Sequence, residues 1–248
     1  MRHGFAMKKS ISVLFAVLFC GVTALAQVGG GGFDSTLDQL FEKTPVFTAT
    51  LQTAMTGPNG SMSASTRMYY DHGNSRSEMN MADVSGSTLP PNALKQAQAM
   101  GLDKVVTIAP SSKTNIFMIY PNLRAYISNP TLSGAQSPGN LKVTKIGSET
   151  VDGHPCVKNQ VVLNLGGQPH QFTVWNASDL QNFPIQINIT DQGTSATMIF
   201  RNISFAGVST SQFQPPSSYK RYDNIQELMQ AAIIGHVGGG TPAATPAQ

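Results

Sequence analysis

The stretch VFTATLQTAMTGPNGSMSASTRMYYDHGNSRSEMNM, Val46 to Met81, decides the fold. Phe47, Ala49, Leu51, Thr53 and Met55 recur at every second position, with Thr48, Thr50 and Gln52 between them. Successive side chains of a β-strand point to opposite faces, so this pattern makes one face apolar and the other polar. Gly57-Pro58-Asn59-Gly60 then reverses the chain, since Pro fixes φ and Gly reaches conformations closed to other residues. Met62, Ala64, Thr66, Met68 and Tyr70 repeat the alternation. Asp71-His72-Gly73-Asn74 turns the chain again, and Ser75, Ser77, Met79 and Met81 continue it. The expectation is a meander of three antiparallel strands.

Upstream, Phe33, Leu37, Leu40 and Phe41 are spaced as one face of a helix that Asp34 or Ser35 caps and Pro45 ends. Downstream, Pro90 to Met100 holds good helix formers, with prolines at its start and Gly101 at its end. Its thin apolar content, Leu94, Ala97 and Met100, predicts a helix laid over a surface. Strand patterns resume at Val105–Ala109, Asn115–Tyr120, Ala125–Ser128 and Leu141–Glu149. The hairpin signal Asp152-Gly153 leads into Cys156–Leu165, followed by Phe172–Trp175, Phe183–Thr190 and Ala196–Phe205. Asn224 to Ile234 reads as a closing helix with Ile225, Leu228, Met229 and Ala232 on one stripe. About eleven strands with flanking helices give an α+β class: a strongly curved antiparallel sheet, or open half-barrel, packed on helices. An odd strand count, 15 prolines and a polar C-terminal tail argue against a membrane-spanning barrel.

The ends are of a different kind. Arg2, Lys8 and Lys9 precede the apolar run Ile11–Val22, which closes at Ala24-Leu25-Ala26. This is the pattern of a secretory signal peptide, residues 1–26, cleaved after Ala26, and it predicts a periplasmic or extracellular location. Phe19 before Cys20 argues against a lipid-anchored cysteine, since that position is normally small. Residues 27–32 form a glycine spacer, residues 33–236 one domain, and residues 237–248 a disordered tail rich in Gly, Pro, Ala and Thr. The whole chain has 16 basic and 13 acidic side chains; without Arg2, Lys8 and Lys9 the two counts are equal. Bulk electrostatic binding of nucleic acid is thereby excluded. Cys156 is left as the one cysteine after cleavage, which precludes an intramolecular disulfide.

Three stretches of the second half read together: LKVTKIGSETVDGHPCVKNQVVL (Leu141–Leu163), FTVWNASDLQNFPIQINI (Phe172–Ile189) and IFRNISFAGVSTSQFQPPSSYKRY (Ile199–Tyr222). They contain Gly147 and Glu149, the hairpin Val151 to Cys156, and Trp175, Ala177, Asp179 and Leu180 before Phe183-Pro184-Ile185. Phe213, Pro215, Pro216 and Tyr219 close the pattern. In these motifs the chain resembles an uncharacterised branch of exported bacterial proteins within the LolA-like superfamily, a domain of unknown function. Tyr69-Tyr70-Asp71 and Arg76-Ser77-Glu78-Met79 extend the resemblance more loosely over residues 33–222. It implies a half-open barrel wrapped over helices, with an apolar concave face, in a superfamily that includes carriers of lipidated proteins and envelope-stress sensors. Those carriers hold a lid helix shut with a barrel arginine; Arg67, Arg76 and Arg124 are candidates, and no motif selects among them.

Of the 11 methionines, seven lie between Met55 and Met118, and Met55, Met62, Met68, Met79 and Met81 fall on the strands of the first meander. Methionine is flexible and polarisable and adapts to varied apolar shapes, acyl chains included. The candidate ligand-binding lining is therefore Phe47, Leu51, Met55, Met62, Met68, Met79 and Met81. The simpler alternative makes them core residues beneath the first helix. His154-Pro155-Cys156 places an imidazole and a thiol two residues apart, but the sequence supplies neither an orienting group nor further metal ligands. A buried structural cysteine beside a turn histidine is the expectation. Phosphate-loop, dinucleotide and hydrolase motifs are absent. No catalytic residue, metal or cofactor is expected. The resulting expectation is a non-enzymatic exported protein whose partner is a lipid, a lipidated protein or an envelope protein.

Overall fold

A computed structural model describes residues 40–41, 44–58, 60–86, 91–112, 115–130, 141–165, 168–191 and 193–237. The expected signal peptide, spacer and C-terminal tail, and most of the expected first helix, lie outside these residues. Twelve strands form one open, curved sheet in the order β12-β6-β5-β4-β3-β2-β1-β11-β10-β9-β8-β7. The half-barrel expected from the sequence is thus present, with one strand more than expected.

The N-terminal wing is a meander, β1 (Val46–Gly57), β2 (Gly60–Asp71), β3 (Asn74–Gly86), β4 (Lys104–Ala109), β5 (Asn115–Tyr120) and β6 (Ala125–Pro130). The C-terminal wing is a second meander, β7 (Leu141–Val151), β8 (His154–Leu165), β9 (Gln168–Ala177), β10 (Phe183–Asp191) and β11 (Thr194–Ser204). The wings join where β1 pairs with β11, for example Leu51 opposite Phe200. The twelfth strand, β12 (Lys220–Tyr222), pairs parallel with β6 at the far edge. Its three residues are too few to show a period, so nothing in the local pattern announces it.

Two of the hairpins are made by the turn chemistry read from the sequence. His72-Gly73 and Asp152-Gly153 all have positive φ, at 47°, 85°, 51° and 87°. That is the two-residue turn whose twist matches flanking strands. Helix α1 (Ala93–Ala99) follows β3, and helix α2 (Ile225–Val237) follows β12. Asn224 caps α2, accepting from the Glu227 backbone N–H at 2.9 Å while donating to the Glu227 carboxylate at 3.1 Å.

Both faces of the sheet are covered, by different devices. On the concave face, Phe41 sits among Phe47, Tyr70, Phe183 and Phe200, with ring centroids 4.7 to 5.6 Å away. Val161, Leu163, Phe172, Val174, Ile187 and Met198 complete this core beneath the C-terminal wing. At the other end α2 packs Leu228 and Met229 on Val105, Tyr120, Ala125 and Ile127. Burial pushes the Tyr120 phenol up to about 12. On the outer face, the segment between β11 and β12 sets Phe213 against Val106, Ile108 and Ile119. One wing is therefore held between a helix and a crossing segment.

The edge strand β7 exposes Val143 and Ile146, 57% and 52% accessible. Lys142 and Lys145 flank them, and the pairing with β8 shifts register at Ile146. Edge lysines and a bulge are the devices that discourage pairing with another sheet.

Candidate functional site

The register of β1 and β2 sets the candidate lining on one face. Phe47 opposes Tyr70, Ala49 opposes Met68, Leu51 opposes Thr66 and Met55 opposes Met62. Thr66 in turn opposes Met79 of β3. Because alternate residues share a face, all of these belong to the concave side.

They are not equally available. Phe47 is fully buried and Leu51 is buried, both inside the aromatic core, and Met68 packs partly against it. Met79 is buried on the concave face, and Met81 is buried beneath Ala93 and Ala97 of α1. Met55 and Met62 are half-buried near the hairpin tip, and no core cluster of the described residues takes them in. The seven candidates thus form a gradient from packed core to open rim. The even spacing shows the shared face, whereas the depth at which each residue sits depends on elements distant in sequence.

Of the three candidate latch arginines, Arg67 and Arg76 lie off the concave face. Arg67 opposes Thr50 and Glu78, on the outer face. Arg76 opposes Tyr69 on the same face and donates from Nη1 to the Gln212 carbonyl at 3.0 Å, tying down the crossing segment. Arg124 ends a one-turn 3-10 helix, Pro121–Leu123, with φ 46°.

The histidine and thiol of the β7–β8 hairpin are also resolved by geometry. Cys156 is buried, and its Sγ donates to the His154 backbone carbonyl at 3.3 Å. Burial pushes its thiol above the ordinary value, so the thiolate that a nucleophile requires is disfavoured. The His154 imidazole lies on the other side of the matter: its Nδ1 is 2.8 Å from the Asp179 Oδ2. Spacing alone did not indicate that pairing, because the turn after β9 brings Asp179 back over the hairpin. Cys156 packs with Trp175, Ala177 and Ile185, as a structural cysteine does. Among the described residues no group of three or more His, Cys, Asp or Glu could hold a metal ion. No helix among them is long and apolar enough to cross a membrane.

No family model and no curated protein matches the chain. Solved structures do. The lipoprotein LppX of Mycobacterium tuberculosis is 12% identical with a TM-score of 0.40, over 71% of this chain and 98% of that one. LprF of Mycobacterium bovis is 12% identical with a TM-score of 0.40, over 75% and 95% of the two chains. A LolA superfamily protein from Nitrosomonas europaea is 10% identical with a TM-score of 0.34, over 71% and 96% of the two chains.

Proposed function

We propose that this chain is an exported, non-enzymatic binding protein that holds an apolar ligand, a lipid or the acyl chain of a lipidated protein, on the concave face of its sheet. The observation that supports this reading is the pair Met55 and Met62, opposed in register and half-buried beyond the edge of the packed core. An acyl chain laid on them would extend the apolar surface that Met68 and Met79 continue inward. Each CH₂ group so buried contributes about 0.8 kcal/mol. The signal peptide would deliver the protein to the envelope, with Gln27 as its first mature residue.

The test is native mass spectrometry of protein purified from its own envelope, together with titration of a fluorescent fatty acid. Bound lipid, and binding that Met55→Asp with Met62→Asp weakens at least about tenfold, is the expected result. Empty protein that ignores the fatty acid would sink the reading.

A second reading draws on another observation. Phe41, Phe47, Tyr70, Phe183 and Phe200 fill the concave space at one end with the chain's own rings. A protein filled in this way along its whole length would be an envelope interaction or sensor module that binds protein. Empty protein that retains an envelope partner through cross-linking and purification would favour it.

A further inference from the structure

The outer face has a recess of about 410 Å³ that the concave-face reading does not use. Its origin is a break in the β2–β3 ladder. Ala64 opposes Val84 and Thr66 opposes Met79, so residues 80–83 of β3 stand against Ser65 alone. This excursion is pinned from both sides. The Met81 backbone N–H donates to the Asp103 carbonyl at 2.8 Å, and the Met81 side chain is buried beneath α1. The Ala82 N–H donates to the Asn80 side-chain oxygen at 3.0 Å. Wide irregularities of this kind recur beside binding sites because they re-aim side chains.

Ser65, Arg67, Asn80, Asp83 and Lys104 face the recess, with Arg76 and Glu78 at its wall. The wall charges are satisfied by each other: Arg76 Nε and Nη2 both lie 2.8 Å from the same Glu78 oxygen. Arg67 and Lys104 have no ion pair among the described residues, and the Arg67 guanidinium carbon lies over the Tyr69 ring, 5.3 Å from its centroid. Their strands, β2 and β4, are two spacings apart, about 10 Å, and Lys104 is level with Asn80, two residues or about 7 Å along from the Glu78 that opposes Arg67. Two long cationic side chains that far apart can close on one anion between them. Asp83, Asn80 and Ser65 supply acceptors and donors beside that position, which suits hydroxyl groups.

We infer that this recess is a second binding site, for a phosphorylated polyol: the phosphate between Arg67 and Lys104, the hydroxyls on Asp83, Asn80 and Ser65. A soluble polyol phosphate and the headgroup of a glycerol phospholipid share that chemistry. The inference is independent of any ligand on the concave face.

The full chain, with the leader removed by its host, is titrated calorimetrically with glycerol 1-phosphate and with inorganic phosphate. Its retention on phosphatidylglycerol vesicles is compared with that on phosphatidylcholine vesicles. Arg67→Ala and Lys104→Ala each remove an exposed side chain, and an unchanged thermal transition establishes that they fold. The expected result is that glycerol 1-phosphate, phosphatidylglycerol vesicles or both bind, and that either variant weakens this at least about tenfold. Binding of the free ester marks a soluble ligand, and binding of vesicles alone marks a headgroup. Asp83→Asn should weaken glycerol 1-phosphate while sparing inorganic phosphate. Failure of both probes, or binding that survives both cation variants, overturns the site. Equal affinity for the two phosphates overturns the polyol.

Discussion

Trp175 donates its indole N–H to the carboxylate of Glu149, reaching from β9 over β8 to β7. Lys158, on the strand between, lies 3.4 Å from the same carboxylate and 4.9 Å from the indole centroid. The indole hydrogen bond first, and then Lys158, holds the Glu149 carboxyl below its ordinary 4.5. A group with a depressed folded pKa stabilises the native state above its unfolded pKa, and that contribution fades as pH falls through the folded value. Trp175 is the one tryptophan in the chain, so its emission reports this site directly. An acid titration should show a fluorescence step with a midpoint below 4.5, and Glu149→Gln should abolish the step.

The aromatic core predicts a large response to truncation. Phe183 is fully buried and touches Phe41, Phe47, Phe200 and Phe205 as ring neighbours. Phe183→Ala should destabilise the protein by about 3–5 kcal/mol, from lost burial and the cavity left behind. Urea unfolding measures it, and a cost under about 1 kcal/mol would mean that the cluster is not packed as described.

Two glycines with positive φ should behave differently. At Gly86, φ 150°, a Cβ would stand 2.2 Å from the Ser61 carbonyl oxygen and 2.7 Å from the Met62 Cα, so backbone must move. At Gly153, φ 87°, nothing lies within 4 Å. Gly86→Ala should cost about 3 kcal/mol and Gly153→Ala about 1 kcal/mol, because only the first adds a collision to the conformational strain. The same unfolding experiment ranks them, and equal costs would contradict the close approach of β2 and β3 at Gly86.

Cys156 should resist thiol reagents. Its sulfur is buried and its thiol is pushed up by that burial. At pH 8 an aromatic disulfide reagent should label folded protein at least about a hundredfold more slowly than protein unfolded in urea. Labelling at similar rates in the two states would place the thiol at the surface.

How far the sequence could be read depended on the range of the cause. Alternation at Phe47–Met55 and Met62–Tyr70, and the turns at His72-Gly73 and Asp152-Gly153, are local, and they anticipated the strands and hairpins. The excursion of residues 80–83 is not local. Met81 keeps the even spacing of Met79, so the pattern continues unbroken, yet the β2 partner skips four residues because α1 and Asp103 hold Met81 elsewhere. The strand Lys220–Tyr222 was missed for a related reason: its place is set by the edge of β6 and the anchoring of Phe213. The candidate lining was legible as a shared face. Its division into the buried Phe47 and the half-buried Met55 was not, because Phe41, Phe183 and Phe200 decide it from distant parts of the chain. The outer recess had no signature at all, since Arg67, Asp83 and Lys104 meet only through strand order.

The position of β1 in the middle of the sheet has a consequence for biogenesis. Each wing pairs strands that follow one another in the chain, with α1 inserted between β3 and β4, whereas the seam between β1 and β11 joins residues as far apart as Leu51 and Phe200. As the chain emerges from its N-terminus, the first wing is complete in sequence long before its neighbour exists. During that interval β1 has a naked edge and Phe47 has no Phe200 to close over it. The slow step in folding should be the meeting of the two wings, and the species at risk of aggregation is the N-terminal wing waiting for the other. A factor that shields a hydrophobic strand during synthesis would act at β1.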